Sequence, residues 1–326
     1  MKKLILNCFI YSSPLIFFLF FFIIDDPFGI VYKEKCLAET SDDVIVIRKY
    51  LNENKTNKFS TFIFGNSRTH AFKNYKCGNG FDNFFFDFGS PGESVLNIKK
   101  KLELVIDNQP EVKRVIILID EGILENTDNT HRFYQGPIYN HSPLSSNASY
   151  FTFYSNYLKY YFSNFFFIKH IYYRITGNYK EEWMNDAFKK PGPDFNYTCK
   201  NYPTLADSLI ETDFQEYKRV FKPDYTSYPK KNISVDQRDV EHLNQIKEIL
   251  EKSNIKYKVI YPPTFQGRKI ELKITHLLND LFAENFYDFS GSNKITTDST
   301  LYYENLHFTY RAANMIIDSV CLKGNE

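Results

Sequence analysis

The sequence predicts an α/β fold, a three-layer sandwich in which helices cover both faces of a mostly parallel central sheet. Several short apolar runs are continuous rather than alternating, as expected of strands that are buried on both faces. Segments with helical periodicity separate these runs, and strands connected through helices pair in parallel. The alternation of the two kinds of segment is the basis of the prediction.

Four strands and two helices are predicted with definite bounds. The strands lie at residues 60–64, 83–88, 113–119 and 256–261, and the helices lie at residues 93–106 and 240–252. Each predicted helix combines apolar residues at helical spacing with good helix formers. In a parallel sheet, functional groups gather at the carboxyl ends of the strands, so the residues that follow each strand are candidates for a site.

Composition and charge restrict the class of protein. The chain has 326 residues, is 43% hydrophobic and carries a net charge of +1. That is enough apolar material for one sizeable core or for two domains. A near-neutral chain has no long-range field to attract phosphate backbones, and the block of Lys99, Lys100 and Lys101 is interpreted as a solvated face. We therefore expect no nucleic acid partner.

The first residues of the chain resemble a membrane anchor. Residues 4–24 contain no charged side chain, follow Lys2 and Lys3, and precede two aspartates. This length is about enough to cross a bilayer, and the positive flank stays cytoplasmic. We predict a single-pass anchor at residues 1–26 and an extracytoplasmic domain, periplasmic or on the cell surface, at residues 27–326. A cleaved signal peptide and a buried helix are the alternatives.

Cysteine usage is compatible with export. Outside the apolar segment the cysteines are even in number: Cys36, Cys77, Cys199 and Cys321. Two disulfides are possible in an oxidising compartment, with three connectivities that the sequence does not separate, and unpaired thiols remain the alternative. The spacing contains no CxxC or CxxH pair, so we predict no metal site.

The middle of the chain, at about residues 123–234, is predicted to be an insertion in the α/β domain. Aromatic residues are concentrated from Tyr150 to Tyr173, around Lys159 and Lys169. Those charges argue against a second membrane span. A buried helix is the plain interpretation, and a lid, a membrane-resting helix and an aromatic surface for sugar rings are the alternatives. Residues 185–231 have the composition of long loops, which often shape a substrate cleft.

A serine at the end of the first predicted strand is the main candidate for chemistry. The strand ends at Gly65-Asn66-Ser67-Arg68, which places the hydroxyl of Ser67 at the rim of the sheet. The segments Gly89 to Gly92 and Asp120 follow the next two strands and share that rim. His307 could act as the base for Ser67, whereas a nearby second histidine, His70, is the weaker candidate.

Three short segments together resemble a known superfamily. They are Gly65-Asn66-Ser67-Arg68, the run from Asp87 to Glu93, and Glu304-x-x-His307. In their order and in their placement after strands they resemble the first, second and fifth blocks of the SGNH (GDSL-like) hydrolases. The nearer likeness is to membrane-anchored members of teichoic-acid D-alanyl transfer and alginate O-acetylation. The resemblance covers about residues 61–120 and residue 256 onward, and it implies a flavodoxin-like SGNH fold.

The resemblance also implies a role for each catalytic residue. Ser67 would be the nucleophile and His307 the general base. Glu304 stands where the family usually has Asp, and Asp288 is the alternative acid. The ordinary structural interpretations are a helix N-cap for Ser67, a structural histidine for His307 and a turn cap for Asp288.

An oxyanion hole is implied by the same resemblance. The backbone N–H groups of Ser67 and Gly92 would be two of its donors. The family's third donor is an Asn side chain after the third strand, where this chain has Asp120, and an ionised carboxylate cannot donate a hydrogen bond. Either Asn126 takes that place, or the hole has two donors, or activity is weak.

The function expected from this resemblance is serine-dependent ester chemistry. It would be transfer of an O-acyl group, acetyl in our preferred interpretation, or ester hydrolysis, on a cell-envelope or exported polysaccharide. No cofactor or metal is required, and a membrane-bound acyl-donor protein is a possible partner. The alternative is a non-catalytic SGNH-like envelope protein, a binding or scaffold component of polysaccharide biogenesis.

Overall fold

The computed structural model describes residues 2–31, 41–57, 59–72, 85–109, 111–125, 140–163, 165–184, 209–221 and 234–322. The statements below concern these residues. Outside them lie the alternative oxyanion donor Asn126, most of the predicted loops at 185–231, and the cysteines Cys36, Cys77 and Cys199. The choice between two disulfides and unpaired thiols therefore stays untested.

The centre of the protein is a five-stranded sheet in which every pairing is parallel, and the predicted α/β class is therefore confirmed. The strands are β1 (Thr61–Phe64), β2 (Phe85–Asp87), β3 (Arg114–Leu118), β4 (Lys256–Tyr261) and β5 (Phe286–Asp288). They lie side by side in the order β2-β1-β3-β4-β5. Because the chain order reverses between β1 and β3, the carboxyl ends of these two strands border the crevice where open α/β sheets bind ligands.

The sequence located four of the five strands and missed the last. The predicted strand at residues 256–261 agrees with β4 to the residue. The strand predicted at 60–64 begins one residue before β1, and the strand predicted at 113–119 is one residue longer than β3 at each end. The strand predicted at 83–88 ends one residue after β2, and residues 83 and 84 are outside the described part of the chain. Strand β5 is three residues long, and two of its residues are only partly buried. Such a strand carries too little apolar pattern to be recognised, and it forms because β4 offers an edge for it to pair with.

Helices surround the sheet. Their bounds are α1 Lys2–Asp25, α2 Asp42–Glu53, α3 Val95–Asn108, α4 Glu121–Leu124, α5 Tyr150–Phe162, α6 Phe166–Thr176, α7 Glu181–Met184, α8 Phe214–Val220, α9 Gln237–Lys252, α10 Leu272–Phe282 and α11 Tyr310–Leu322. Short 3-10 helices cover Ser67–Ala71, Ala283–Asn285 and Ser299–Leu301. The predicted helices at 93–106 and 240–252 correspond to α3 and α9.

Alternate residues of the strands bury themselves on opposite faces of the sheet. On one face, Phe62 and Phe64 pack in a cluster with Leu102 of α3 and with apolar residues of α2, α9 and α10. On the other face, Ile63 packs with Ile317 of α11. Because side chains of a strand alternate between faces, two separate apolar layers form, and the result agrees with a three-layer sandwich.

The aromatic segment of the insertion forms the helices α5 and α6, which pack beside α1. Phe22 of α1 contacts Tyr161, and Phe18 contacts Phe162 and Phe167. Tyr157 and Tyr161 are fully buried, as the interpretation of a buried helix requires, while other aromatic residues of the same helices remain exposed. The segment is therefore partly buried, against α1 rather than against the sheet.

Residues 2–25 form the helix α1, where the sequence predicts a membrane anchor. No helix in the described parts of the chain combines the length and the apolarity that are needed to cross a membrane. The anchor at residues 1–26 stays a prediction.

The central strand allows a direct test of the sheet core. Replacing Ile117, which is fully buried in β3, by Ala removes three carbons from close packing and should lower the free energy of unfolding by about 2–5 kcal/mol. Urea denaturation followed by circular dichroism measures the change. Leu272→Ala is the matched control, because Leu272 is 71% exposed and its truncation should change stability by no more than about 0.5 kcal/mol. Equal effects of the two variants would contradict the described core.

Candidate active site

Ser67 lies in the first turn after β1, at the carboxyl edge of the sheet. The chain turns at Gly65, whose φ of +154° few side chains adopt and where a Cβ would approach Leu118 Cβ to 3.0 Å. Asn66 then caps the 3-10 helix, since its side-chain oxygen accepts the N–H of Arg68 at 3.1 Å. The N-cap is therefore Asn66 and not Ser67. The structural interpretation of Ser67 as a helix N-cap applies to Asn66 instead.

The structure brings Ser67 and His307 together across 240 residues of sequence. Ser67 Oγ and His307 Nε2 are 2.7 Å apart. His307 lies in a loop that is closed by an isolated antiparallel bridge between Tyr302 and Phe308, both almost completely buried. These two anchors hold the loop, and with it the imidazole, against the carboxyl end of β1.

Glu304 completes a chain of hydrogen bonds. Its carboxylate contacts His307 Nδ1 and also accepts the backbone N–H of His307 at 3.1 Å. The hydrogen bond from His307 holds the pKa of Glu304 below its usual value. Because the carboxylate can only accept, Nδ1 carries the proton and Nε2 is left to accept the hydroxyl proton of Ser67. The side chain of Glu304, one methylene longer than that of Asp, thus reaches the imidazole of His307.

The other candidate acid lies elsewhere. Asp288, at the end of β5, accepts the backbone N–H of Ser290 at 2.8 Å and forms an ion pair with Lys269. Those contacts correspond to the turn cap that was its ordinary interpretation. In this structure the acid bonded to His307 is Glu304.

In the described structure His70 is bonded to Asp87, whereas Ser67 is bonded to His307. Its Nδ1 is 2.7 Å from an oxygen of Asp87, whose other oxygen accepts the N–H of Gly89 at 2.8 Å. Burial acts to raise the pKa of Asp87, but His70 and hydrogen bonds from Thr69 and Gly89 outweigh it and lower the pKa. The pair of His70 and Asp87 thus connects the serine turn to the loop after β2.

The loop after β2 lies against the serine turn. Phe88 N–H donates to Ile63 O at 2.8 Å and Ser90 N–H donates to Gly65 O at 3.2 Å, so the loop continues the pairing of β2 with β1. Gly92 lies two residues further on, with φ of +70°. These bonds hold the loop that contains the predicted oxyanion donor close to the turn that contains Ser67.

Asp120, which the sequence resemblance aligned with a third oxyanion donor, makes structural contacts. Its carboxylate accepts a hydrogen bond from Asn66 Nδ2 at 2.6 Å and one from the backbone N–H of Ile123 at 3.0 Å, and the second bond caps α4. The carboxylate also lies 3.4 Å from the guanidinium of Arg68. All of these groups donate toward Asp120. The carboxylate therefore orients Asn66 and Arg68 beside the serine, and in this form it supplies no hydrogen to an oxyanion.

Sequence reasoning missed Lys101, which is bonded to the loop after β2. The block Lys99, Lys100 and Lys101 was interpreted as a solvated face, and for Lys101 that was wrong, because its side chain is fully buried. The signal was present in the helical spacing. Lys101 follows Ile98 by three residues and precedes Val105 by four, so it belongs to the apolar face of α3.

The described residues contain no cluster of three or more His, Cys, Asp or Glu side chains arranged to hold a metal ion. Comparisons with protein-family models, with curated proteins and with solved structures found no match to this chain. The geometry of Ser67, His307 and Glu304 is therefore the basis on which a function is proposed.

The hydrogen bond between His307 and Glu304 has a measurable consequence. In the wild type the pKa of Glu304 lies below its usual value, and His307→Ala should raise it toward about 4.5 because the main cause of the shift is removed. Carbon-13 NMR of glutamate side-chain carboxyls, assigned with Glu304→Gln, follows the titration. Ser67→Ala is the matched control, since it keeps the imidazole in place and should leave the pKa low.

The same shift has a defined sign for stability. A carboxyl whose folded pKa is depressed stabilises the folded chain above its unfolded pKa, and this contribution is lost as the pH falls through the folded pKa.

If Glu304 titrated identically in the wild type and in His307→Ala, the hydrogen bond described here would be contradicted.

Proposed function

We propose that the protein carries out serine-dependent ester chemistry on an exported or cell-envelope polysaccharide, as an O-acyltransferase or an esterase. The observation that supports this proposal best is the chain of hydrogen bonds from Ser67 to His307 to Glu304, built from two segments far apart in sequence. A nucleophile bonded to a base, with the base oriented by a third group, is the recurring arrangement for acyl transfer.

The first half-reaction of the proposal uses the contact between Ser67 and His307. Ser67 Oγ attacks the carbonyl carbon of the acyl ester while its proton moves to His307 Nε2, only 2.7 Å away. Glu304 stabilises the imidazolium that forms. When the tetrahedral intermediate collapses, the bond to the alcohol breaks, His307 returns the proton to that oxygen, and the acyl group remains on Ser67.

The second half-reaction decides between hydrolysis and transfer. Water or a sugar hydroxyl gives its proton to His307 and attacks the acyl carbon, and Ser67 leaves with the proton that the imidazole returns. Hydrolysis releases the acid, whereas transfer acylates the sugar. We favour acetyl transfer, for which an anchored enzyme would meet an acyl-donor protein at the membrane.

Oxyanion stabilisation in this proposal comes from backbone donors. The N–H groups of Ser67 and Gly92 take that role, supported by the bonds that hold the loop after β2 to the serine turn. Asp120 does not add a third donor in its described contacts. A hole with two donors predicts slower turnover than a hole with three.

The fold supports the SGNH interpretation at a coarser level. The strand order β2-β1-β3-β4-β5 is the flavodoxin-like one, and Ser67 follows β1 at the reversal point where such sheets bind ligands. The membrane anchor at residues 1–26, the extracytoplasmic location and the polysaccharide substrate belong to this proposal and derive from the sequence.

One observation favours a second candidate function. Asp120 stands where the resemblance expects the donor Asn, and it is bonded to Asn66 and Arg68, so at that position the described residues supply no third donor. A non-catalytic SGNH-like protein that binds the polysaccharide or acts as a scaffold in its biogenesis would have the same fold.

Covalent labelling tests the proposed activity. The full-length wild type should react with a fluorophosphonate probe and hydrolyse 4-nitrophenyl acetate, and Ser67→Ala and His307→Ala should each lose about a thousandfold or more in kcat. Gel fluorescence and absorbance provide the two readouts. Matched controls are Ser155→Ala in α5 and His276→Ala in α10, which should keep wild-type rates.

The outcome separates the two functions. Labelling that disappears only in the two site variants would support an activated serine. A folded wild type that neither labels nor turns over the ester would contradict the enzyme and leave the binding or scaffold function.

A further inference from the structure

A buried cluster of charged residues is bonded to the loop after β2. Its members are Lys101 of α3, Asp43 of α2, and Glu93 in the segment before α3, and each side chain is fully buried. The ammonium of Lys101 is 2.7 Å from Asp43 Oδ1 and 2.6 Å from Glu93 Oε2. Removing a charge from water costs free energy, so buried charges persist only when they are well paired.

The charges of this cluster are mutually dependent. Burial acts to lower the pKa of Lys101, but Asp43 and Glu93 outweigh it and raise the pKa to about 12. Burial acts to raise the pKa of Asp43, but Lys101 and His141 outweigh burial and hold this pKa well below its usual value. At neutral pH, Lys101 and Asp43 are therefore both charged.

The ammonium is bonded to the loop that contains the proposed oxyanion donor. Lys101 Nζ donates to the carbonyl of Phe88 at 3.2 Å and to Ser90 Oγ at 3.0 Å. Ser90 in turn donates to Glu93 Oε2 at 2.9 Å. Two bonds from the ammonium and one between Ser90 and Glu93 thus hold the loop, in addition to its bonds with β1.

The cluster also connects the loop to the inserted segment. Asp43 Oδ2 accepts the backbone N–H of Ser142 at 2.8 Å and the hydroxyl of Ser145 at 2.5 Å, and His141 Nδ1 is 3.7 Å away. The neighbouring Lys100 donates to Ser146 O at 2.7 Å. Asp43 is therefore fixed from several directions, and it fixes Lys101.

We infer that Lys101, held by Asp43 and Glu93, is a positioning group that fixes the backbone of residues 88–92 so that Gly92 N–H points at the oxyanion formed on the substrate of Ser67. The catalytic part of this inference rests on the proposed function, and the positioning of the loop does not. The ammonium touches no reacting atom and acts through the loop. A shift of about 1 Å in such a loop is enough to lower the rate about a hundredfold.

Two variants of the full-length chain test the inference. Lys101→Met removes the ammonium at similar volume, and Ser90→Ala removes one hydroxyl link while leaving the ion pairs intact. Lys99→Met is the matched control, because Lys99 pairs with Glu103 at the helix surface. If Lys101→Met does not fold, Ser90→Ala decides the outcome alone.

Hydrogen exchange measured by mass spectrometry reports on the loop without requiring activity. The amides of Phe88, Gly89, Ser90 and Gly92 should exchange about tenfold faster in Ser90→Ala and in Lys101→Met, while β1 and β3 stay as protected as in the wild type. Loop exchange within about twofold of the wild type in Ser90→Ala would overturn the inference.

Kinetics of 4-nitrophenyl acetate hydrolysis report on the catalytic part. We expect kcat to fall about 10- to 100-fold in Ser90→Ala with KM within about twofold, because a misdirected oxyanion donor affects the transition state more than the bound ester. Faster loop exchange with unchanged kcat would overturn the catalytic part. A wild type without turnover would instead refute the proposed function, and hydrogen exchange would still decide whether Lys101 fixes the loop.

Discussion

The close packing of two backbone turns at the carboxyl edge of the sheet is the constraint on which the site depends. The turn after β1 and the loop after β2 approach so closely that a Cβ at Gly89 would lie 1.8 Å from Thr69 Oγ1. At Gly65 a Cβ would meet β3. Glycine permits this approach because it has no side chain, and the approach places Ser67 and the loop of Gly92 within reach of one ligand.

Two kinds of electrostatic support hold these turns from opposite sides. On the solvent side, Glu304 orients His307, and its carboxyl is half exposed, so water screens the pair. On the core side, Lys101, Asp43 and Glu93 are fully buried, where charges are weakly screened and removal of one partner is costly. The half-exposed pair suits a group that must exchange protons. The buried cluster suits a group that must not move.

The sequence was most reliable where a pattern is local. The continuous apolar run of β3 and the helical spacing of α3 both depend on neighbours in the chain, and both elements were located within a few residues. It was least reliable where the partner is distant. The short strand β5 forms only because β4 presents an edge. Helical spacing places Lys101 on the apolar face of α3, but its buried partner Asp43 belongs to another helix, and the sequence does not show that pairing. The motifs identified Ser67 and Glu304, but their geometry depended on the fold.

By itself, then, the sequence determined the class of fold and the parallel sheet and pointed to Ser67, His307 and Glu304 as candidates for a site, because apolar periodicity and residue type are properties of the chain alone. Only the tertiary structure decided that Ser67 Oγ lies 2.7 Å from His307, that Asn66 rather than Ser67 caps the turn, and that Asp120 is engaged by Asn66 and Arg68. Those contacts join segments up to 240 residues apart, and their distances are set by how the layers pack.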